Sequence, residues 1–324
     1  MRHGGANGLA WSRADRHAGQ RMPARPIYVE TRIAADLDRV WSATQDPAQH
    51  RQWDLRFTEI DYLPKSSPEA PQQFLYATRI GFGARIEGRG ESVGTLEKNG
   101  ERTSALRFWS DDLKSLIREG SGYWKYQPLD GGVRFFTRYD YDVRFGAAGR
   151  AFDRLCFRPL LGRATAWSFD CLRIWLEHGT PPPASIAATA ACATGRIALA
   201  ATWIYQGLVP KLLFPDTGEL EILRASGAFP GREEAVLRAV GAGEIVLGLA
   251  LLVFHRSRAC LWIMIAVLIV LLAGAVKSQP ALLVAPFNPT SLTLAMIGIA
   301  AMELVLRRNE LPSAARCLRE PPER

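Results

Sequence analysis

Glu244 is the residue whose chemistry most needs an explanation. It sits inside an apolar run, Ala235–Phe254, near the ~20-residue length that crosses a bilayer. A carboxylate facing hydrocarbon there costs ~2.5–3.5 kcal/mol on insertion scales. Glu244 must therefore be protonated, paired, or turned toward a polar cavity. Candidate partners lie on the preceding apolar run: Arg196, Gln206 and Lys211, with Trp203 one turn before Gln206. Two readings stay open, a structural contact between helices and a ligand or proton site. Lys211 follows Pro210 near the far end of its run and could instead reach the interface. Glu303 has a simpler outlet in Arg307 one turn later. Gly207, Gly241, Gly243 and Gly248 read as positions of close helix packing.

The first half offers less chemistry. His50 has no nucleophile near it in sequence, and Asp111-Asp112 reads as a solvated turn rather than an acid–base pair. No catalytic set emerges, so binding is expected rather than catalysis. The five cysteines, Cys156, Cys171, Cys192, Cys260 and Cys317, contain no Cys-x-x-Cys pair. Reduced, mostly buried thiols are expected, and no metal site.

The net charge of +8 comes from 40 basic residues, of which only six are lysine. They are scattered, without a compact Lys/Arg block. That argues against nucleic-acid binding and leaves an anionic membrane surface as the natural partner. Residues 1–25 are rich in Arg, Gly and His and have no apolar core, which excludes a secretory signal peptide. A disordered leader is expected, and Met22 would also serve as a start.

What positions these residues? From 26 to 180 the pattern is a strand (Ile27–Ile33), two short helices (Ala34–Asp54, the second from Pro47), about six strands, and a long helix (Arg150–His178) interrupted at Pro159. Asn99-Gly100 and Asp130-Gly131-Gly132 are hairpin turns. Along Val133–Phe145 an aromatic face (Phe135, Tyr139, Tyr141, Phe145) alternates with a charged one. This order predicts an α+β domain in which a curved antiparallel sheet grips a C-terminal helix. Ile33, Val40, Trp41, Asp46, Pro47 and Trp53 stand where the START-like, or SRPBCC (polyketide cyclase-like), superfamily carries its opening pattern. The resemblance covers about residues 26–178. It implies a cavity between sheet and long helix, and family members bind lipids, hormones or aromatic polyketides, some as enzymes. Strand alternation makes Trp109, Trp124, Tyr139 and Tyr141 the candidate lining, with plain core packing the alternative.

Residues 181–187 read as a stiff Pro-rich linker. Four apolar segments follow, at about Ala188–Phe214, Ala235–Phe254, Ala259–Val276 and Ser291–Leu306. They predict an all-α four-helix transmembrane bundle over 188–308, then a tail over 309–324. His255-Arg256-Ser257-Arg258 and Arg307-Arg308 place that side, the N-terminal domain and the tail in the cytoplasm. Arg196, Trp203, Gly207, Pro210-Lys211, Glu219, Glu221, Gly227, Gly243-Glu244 and Pro286-Phe287-Asn288-Pro289 together resemble the DoxX-like family, over about residues 190–308. Some relatives in the wider DoxX group are associated with quinone-linked sulfur oxidation, so the resemblance adds a quinone to the readings of Glu244.

The reading that follows is a multi-pass protein of a bacterial inner membrane. Its cytoplasmic START-like domain binds a hydrophobic small molecule, lipid or isoprenoid-like, beside the DoxX-like bundle. The alternative is a quinone-linked membrane oxidoreductase subunit. Membrane lipid is the expected partner, with room for a homo-oligomer or a membrane partner subunit.

Overall fold

The computed structural model describes residues 25–67, 70–80, 83–216, 218–286 and 288–322. The expected disordered leader, apart from Arg25, lies outside the described residues, as does Phe287.

Strand β1 (Ile27–Ile33) leads into two capped helices. The Asp36 carboxylate accepts from the Arg39 N–H at 2.8 Å and starts α1 (Leu37–Gln45). Asp46 accepts from the Ala48 N–H at 2.8 Å and starts α2 (Pro47–Trp53), whose first residue, Pro47, has no N–H to satisfy. The indole of fully buried Trp53 donates to the Ala43 carbonyl at 3.0 Å and locks the two helices together.

Strands β2 (Glu59–Tyr62), β3 (Gln73–Ile80), β4 (Ala84–Lys98), β5 (Glu101–Trp109), β6 (Ile117–Leu129) and β7 (Gly132–Val143) complete a seven-stranded antiparallel sheet, order β1-β7-β6-β5-β4-β3-β2. The β4–β5 turn needs two left-handed residues, and Asn99 (φ 54°) and Gly100 (φ 76°) supply them. Phe145 does not extend the aromatic face of β7. It adopts φ 65° outside the strand and is mostly exposed, because the chain has already turned into α3 (Gly146–Phe152). The long helix is α4 (Arg158–His178), joined to α3 by a π turn over Asp153–Phe157. The interruption expected at Pro159 takes this form: a wider turn accommodates a residue without an N–H. Helix α4 packs on the sheet, and Phe169 stacks on Phe135 at 4.5 Å between ring centres. This is the helix-grip, START-like arrangement.

Gly179 (φ 70°) ends α4. The next helix begins at Pro182, inside the stretch expected to be a linker. Its prolines occupy a first turn, where no N–H is required, so the joint between the halves is only residues 179–181. Helix α5 (Pro182–Gly207) continues into a π turn over Leu208–Leu213. Then come α6 (Glu219–Ala225), α7 (Glu233–Val253), α8 (Ala259–Ser278) and α9 (Pro289–Leu306). Four of these helical segments, α5 with its π turn, α7, α8 and α9, are long and apolar enough to cross a membrane. Close approach of α5 and α7 depends on small residues. A Cβ on Gly207 would lie 2.4 Å from the Gly241 carbonyl, and one on Gly248 2.9 Å from that of Ala200. Gly243, expected to help, has open space around it.

The C-terminal residues do not trail free. Trp167 donates to the Pro312 carbonyl at 2.8 Å, Arg173 pairs with Glu310 at 2.7 Å, and Leu318 exchanges two backbone hydrogen bonds with Glu30. The bridge to Leu318 covers the open edge of β1 and holds the soluble domain on the same side of the bundle as the C-terminus.

Candidate functional site

Pro210 lacks the N–H that a regular α-helix would use, and the end of α5 widens into its π turn there. Lys211, the next residue, is turned inward and buried. Its ammonium lies 2.9 Å from Glu244 Oε2 on α7 and 2.8 Å from Glu219 Oε2 on α6. It also donates to the Gln206 carbonyl at 3.2 Å. Lys211 therefore does not reach for the interface; it is the partner Glu244 requires. Contact between α5 and α7 at Gly207 and Gly241 brings the two side chains together.

One ammonium meets two carboxylates, so the cluster has an excess of one negative charge when all three are ionised. A proton or a cationic or hydrogen-donating ligand would relieve it. The Lys211 ammonium, at 2.9 Å, is the one polar partner of Glu244 Oε2 among the described residues. Buried Trp203 leaves its indole N–H without an acceptor. Leaving such a group unpaired in a buried setting is costly. Trp203 and Glu244 are among the residues lining one cavity of about 610 Å³ between the spans, which also has apolar lining from Leu268, Leu271, Leu292 and Met296. Gln206 lines it too. Of the five residues expected at an intramembrane polar site, the structure brings together Trp203, Gln206, Lys211 and Glu244.

Arg196 does not join them. Its guanidinium donates to Glu303 Oε1 at 2.6 Å and to the carbonyls of Phe254 and Ser257 at 3.0 and 3.1 Å. Glu303 also takes the expected bond from Arg307, at 2.6 Å. This second cluster ties the middle of α5 to the ends of α7 and α9 on the side of the soluble domain.

In the soluble domain the four aromatic candidates divide between the buried core and the surface. Trp124, Tyr139 and Tyr141 belong to the buried core. The Tyr139 hydroxyl is bonded to Thr165 at 2.8 Å, and that of Tyr141 donates to Asp153 at 2.7 Å. Trp109 is partly exposed and shares with Tyr141 an open depression of about 340 Å³. Next to Trp124 lies a buried ionic cluster that sequence reasoning missed. Asp54 accepts from Arg56 through both oxygens, at 2.8 and 2.6 Å, and bonds His50 at 2.9 Å. Burial pushes the Asp54 carboxyl up, but Arg56 and then His50 outweigh it and hold it well below the usual carboxylate range. No spacing rule marks a loop Asp-x-Arg as buried, so no sequence signal separated it from a solvated turn.

All five cysteines are free thiols. Among the described residues, no three His, Cys, Asp or Glu side chains are grouped to hold a metal ion.

Residues 200–301 match the model of the DoxX-like family. A membrane protein of Bacillus subtilis (strain 168), YndG, is 43% identical over 249 residues, 76% of this chain and 91% of its own length. Among solved structures, a STAR-related lipid transfer protein from Xanthomonas axonopodis is similar at 17% identity, covering 46% of this chain and 84% of its own, with a TM-score of 0.36. The Zhui aromatase/cyclase from Streptomyces sp. R1128 is similar at 16% identity, covering 38% and 71%, with a TM-score of 0.31.

Proposed function

The chain belongs to the family of the membrane protein YndG, with a DoxX-like membrane domain, and from that premise we propose that it binds a lipophilic small molecule with a polar head. The head sits against Trp203, Lys211 and Glu244, and the apolar body lies along the facing helices. The observation that carries this reading is the unpartnered Trp203 N–H beside a cluster of one ammonium and two carboxylates, with Trp203, Lys211, Glu219 and Glu244 all lining one 610 Å³ cavity. Small-molecule sites combine an apolar wall with a few convergent polar groups. The soluble domain, first expected to carry the ligand, is the weaker place for it. Tyr139 and Tyr141 have their hydroxyls satisfied and Trp124 is packed in the core, so a ligand there would have to displace the core.

The compartment is part of the same proposal. Arg256, Arg258, Arg307 and Arg308 lie on the side of the soluble domain, and the positive-inside rule makes that side the cytoplasm of a bacterial inner membrane. Native mass spectrometry of the full chain in detergent tests the function. A lipophilic species retained by the wild type and lost in Trp203→Phe and Glu244→Gln is the expected result. A wild type that carries none, and whose melting is unmoved by hydrophobic probes, overturns it.

A quinone-linked oxidoreductase subunit is the second reading. Quinone carbonyls accept hydrogen bonds, and Lys211 and Trp203 present donors at the cavity. A quinone analogue should then raise the melting temperature of the wild type and not of Trp203→Phe. Identical responses in both remove this reading.

A further inference from the structure

At the opposite end of the bundle, where it meets the soluble domain, lies a second cavity of about 730 Å³. It is bounded by α5, the α7–α8 loop, the end of α9 and the returning C-terminal segment. Six arginines line it, at 196, 256, 258, 307, 308 and 316, against one carboxylate, Glu310.

The six differ in what they do. Arg196 and Arg307 share Glu303, and Arg316 pairs with Asp170 and Glu310. Those three hold the junction together. Arg256, Arg258 and Arg308 have no carboxylate partner among the described residues; Arg256 donates only to the Ser313 hydroxyl, at 2.7 Å. Three exposed arginines thus line one concavity without a carboxylate partner. The same cavity has an apolar side, where Ile197 (62% exposed) and Leu252 (42%) stand on lipid-facing surfaces of α5 and α7. Positive charge that merely orients the chain needs neither a concavity nor an apolar wall leading into it.

We propose that this cavity seats the phosphate of an anionic membrane phospholipid, held by Arg256, Arg258 and Arg308, with its acyl chains running along Ile197 and Leu252. Arginine presents a planar fork that matches phosphate oxygens in pairs. Basic pockets between spans are known to take anionic head groups. A free phosphate would use the arginines and leave the apolar wall idle, which favours the lipid as its source. The site is separate from the cavity at Glu244, so loss of one leaves the other intact.

The test uses the full chain in detergent, titrated with phosphatidylglycerol, phosphatidylcholine and inorganic phosphate, and read by native mass spectrometry and thermal unfolding. Phosphatidylglycerol should be retained in preference to phosphatidylcholine. Each Arg→Gln change at 256, 258 or 308 should weaken that retention about fivefold, and Glu244→Gln should not. A triple Arg→Lys variant, which keeps the charge that directs insertion, should fold and keep part of the preference. Equal retention of the two lipids by the wild type overturns the site. So does an unchanged preference in the folded triple Arg→Gln variant. Stabilisation by inorganic phosphate as large as that by phosphatidylglycerol overturns the lipid as its source.

Discussion

The membrane half holds two buried ionic clusters of opposite balance. On the side of the soluble domain, Arg196 and Arg307 share Glu303, two positive charges to one negative. At the other end, Lys211 is shared by Glu244 and Glu219, one positive to two negative. The first cluster exports its surplus to backbone carbonyls, since Arg196 also bonds Phe254 and Ser257 across the loop that follows α7. One side chain in the middle of α5 ties the ends of two other helices, and that is a clamp. The second has no such outlet; its two carboxylate residues line a cavity beside Trp203, whose N–H has no partner. The same economy of charge serves structure at one end and, on the function proposed above, binding at the other. An unpartnered polar atom does not separate them, since Glu303 Oε2 is also buried without a partner; what separates them is that one surplus is bonded to backbone carbonyls and the other lines a cavity.

The contrast breaks first at Glu303. Glu303→Ala strands two arginines, of which Arg196 is only 3% exposed. Removing one partner of a buried pair costs about 3–5 kcal/mol. Thermal unfolding in detergent should show a large fall in melting temperature, with ligand binding at the far cavity lost only through unfolding. A variant as stable as the wild type would show that the cluster is no clamp.

How much of this could be read from the chain? The fold was legible because its signals are local and repeated: period-two alternation in β7, Asn-Gly at the hairpin, and apolar runs of membrane length. Glu244 was legible because a carboxylate in such a run is an anomaly wherever it points. Its partner was not, since Arg196, Gln206 and Lys211 all lie on one helix. Only the Gly207–Gly241 contact fixes the register that selects Lys211. Arg196 was placed with the wrong carboxylate for the same reason: Glu303 is 107 residues away in the chain. The aromatic candidates of the soluble domain stayed open between lining and core for another reason. Alternation shows that Trp124, Tyr139 and Tyr141 point inward, but not whether the inside is hollow or filled by Trp53, Phe135 and Phe169.

The soluble domain supplies a third buried cluster, and it sharpens the comparison. Asp54 has both oxygens bonded, whereas Glu303 takes both arginines on Oε1 and leaves Oε2 without a partner, so Asp54 is the more fully satisfied. Asp54→Asn should cost about 3 kcal/mol at pH 7, the low end for breaking a buried pair. The lowered folded-state pKa fixes the sign of the pH dependence. An aspartate titrates near ~3.9 when unfolded, so the contribution is complete above that value and is lost as pH falls through the lower folded value. Wild type and variant should converge in acid. Tryptophan fluorescence can follow this, because Trp53 and Trp124 lie against His50. A stability gap that persists undiminished at pH 2 would assign the effect to packing instead of charge.

The smallest structural effect is expected where the functional one is largest. Glu244→Gln keeps the shape of the side chain and removes the excess negative charge, while Lys211 retains Glu219 at 2.8 Å. No buried charge is left stranded, so the change in stability should stay within about 1 kcal/mol, unlike that of Glu303→Ala. Yet the acceptor that lines the cavity becomes an amide, which offers one oxygen and two N–H donors in place of two acceptors. A ligand that donates to Glu244 should be lost or much weakened, and one that only accepts should be kept. Retained species measured by native mass spectrometry therefore report which end of the hydrogen bond the ligand supplies. If Glu244→Gln instead unfolds as readily as Glu303→Ala, the two clusters are the same kind of object, and the distinction between clamp and binding site fails.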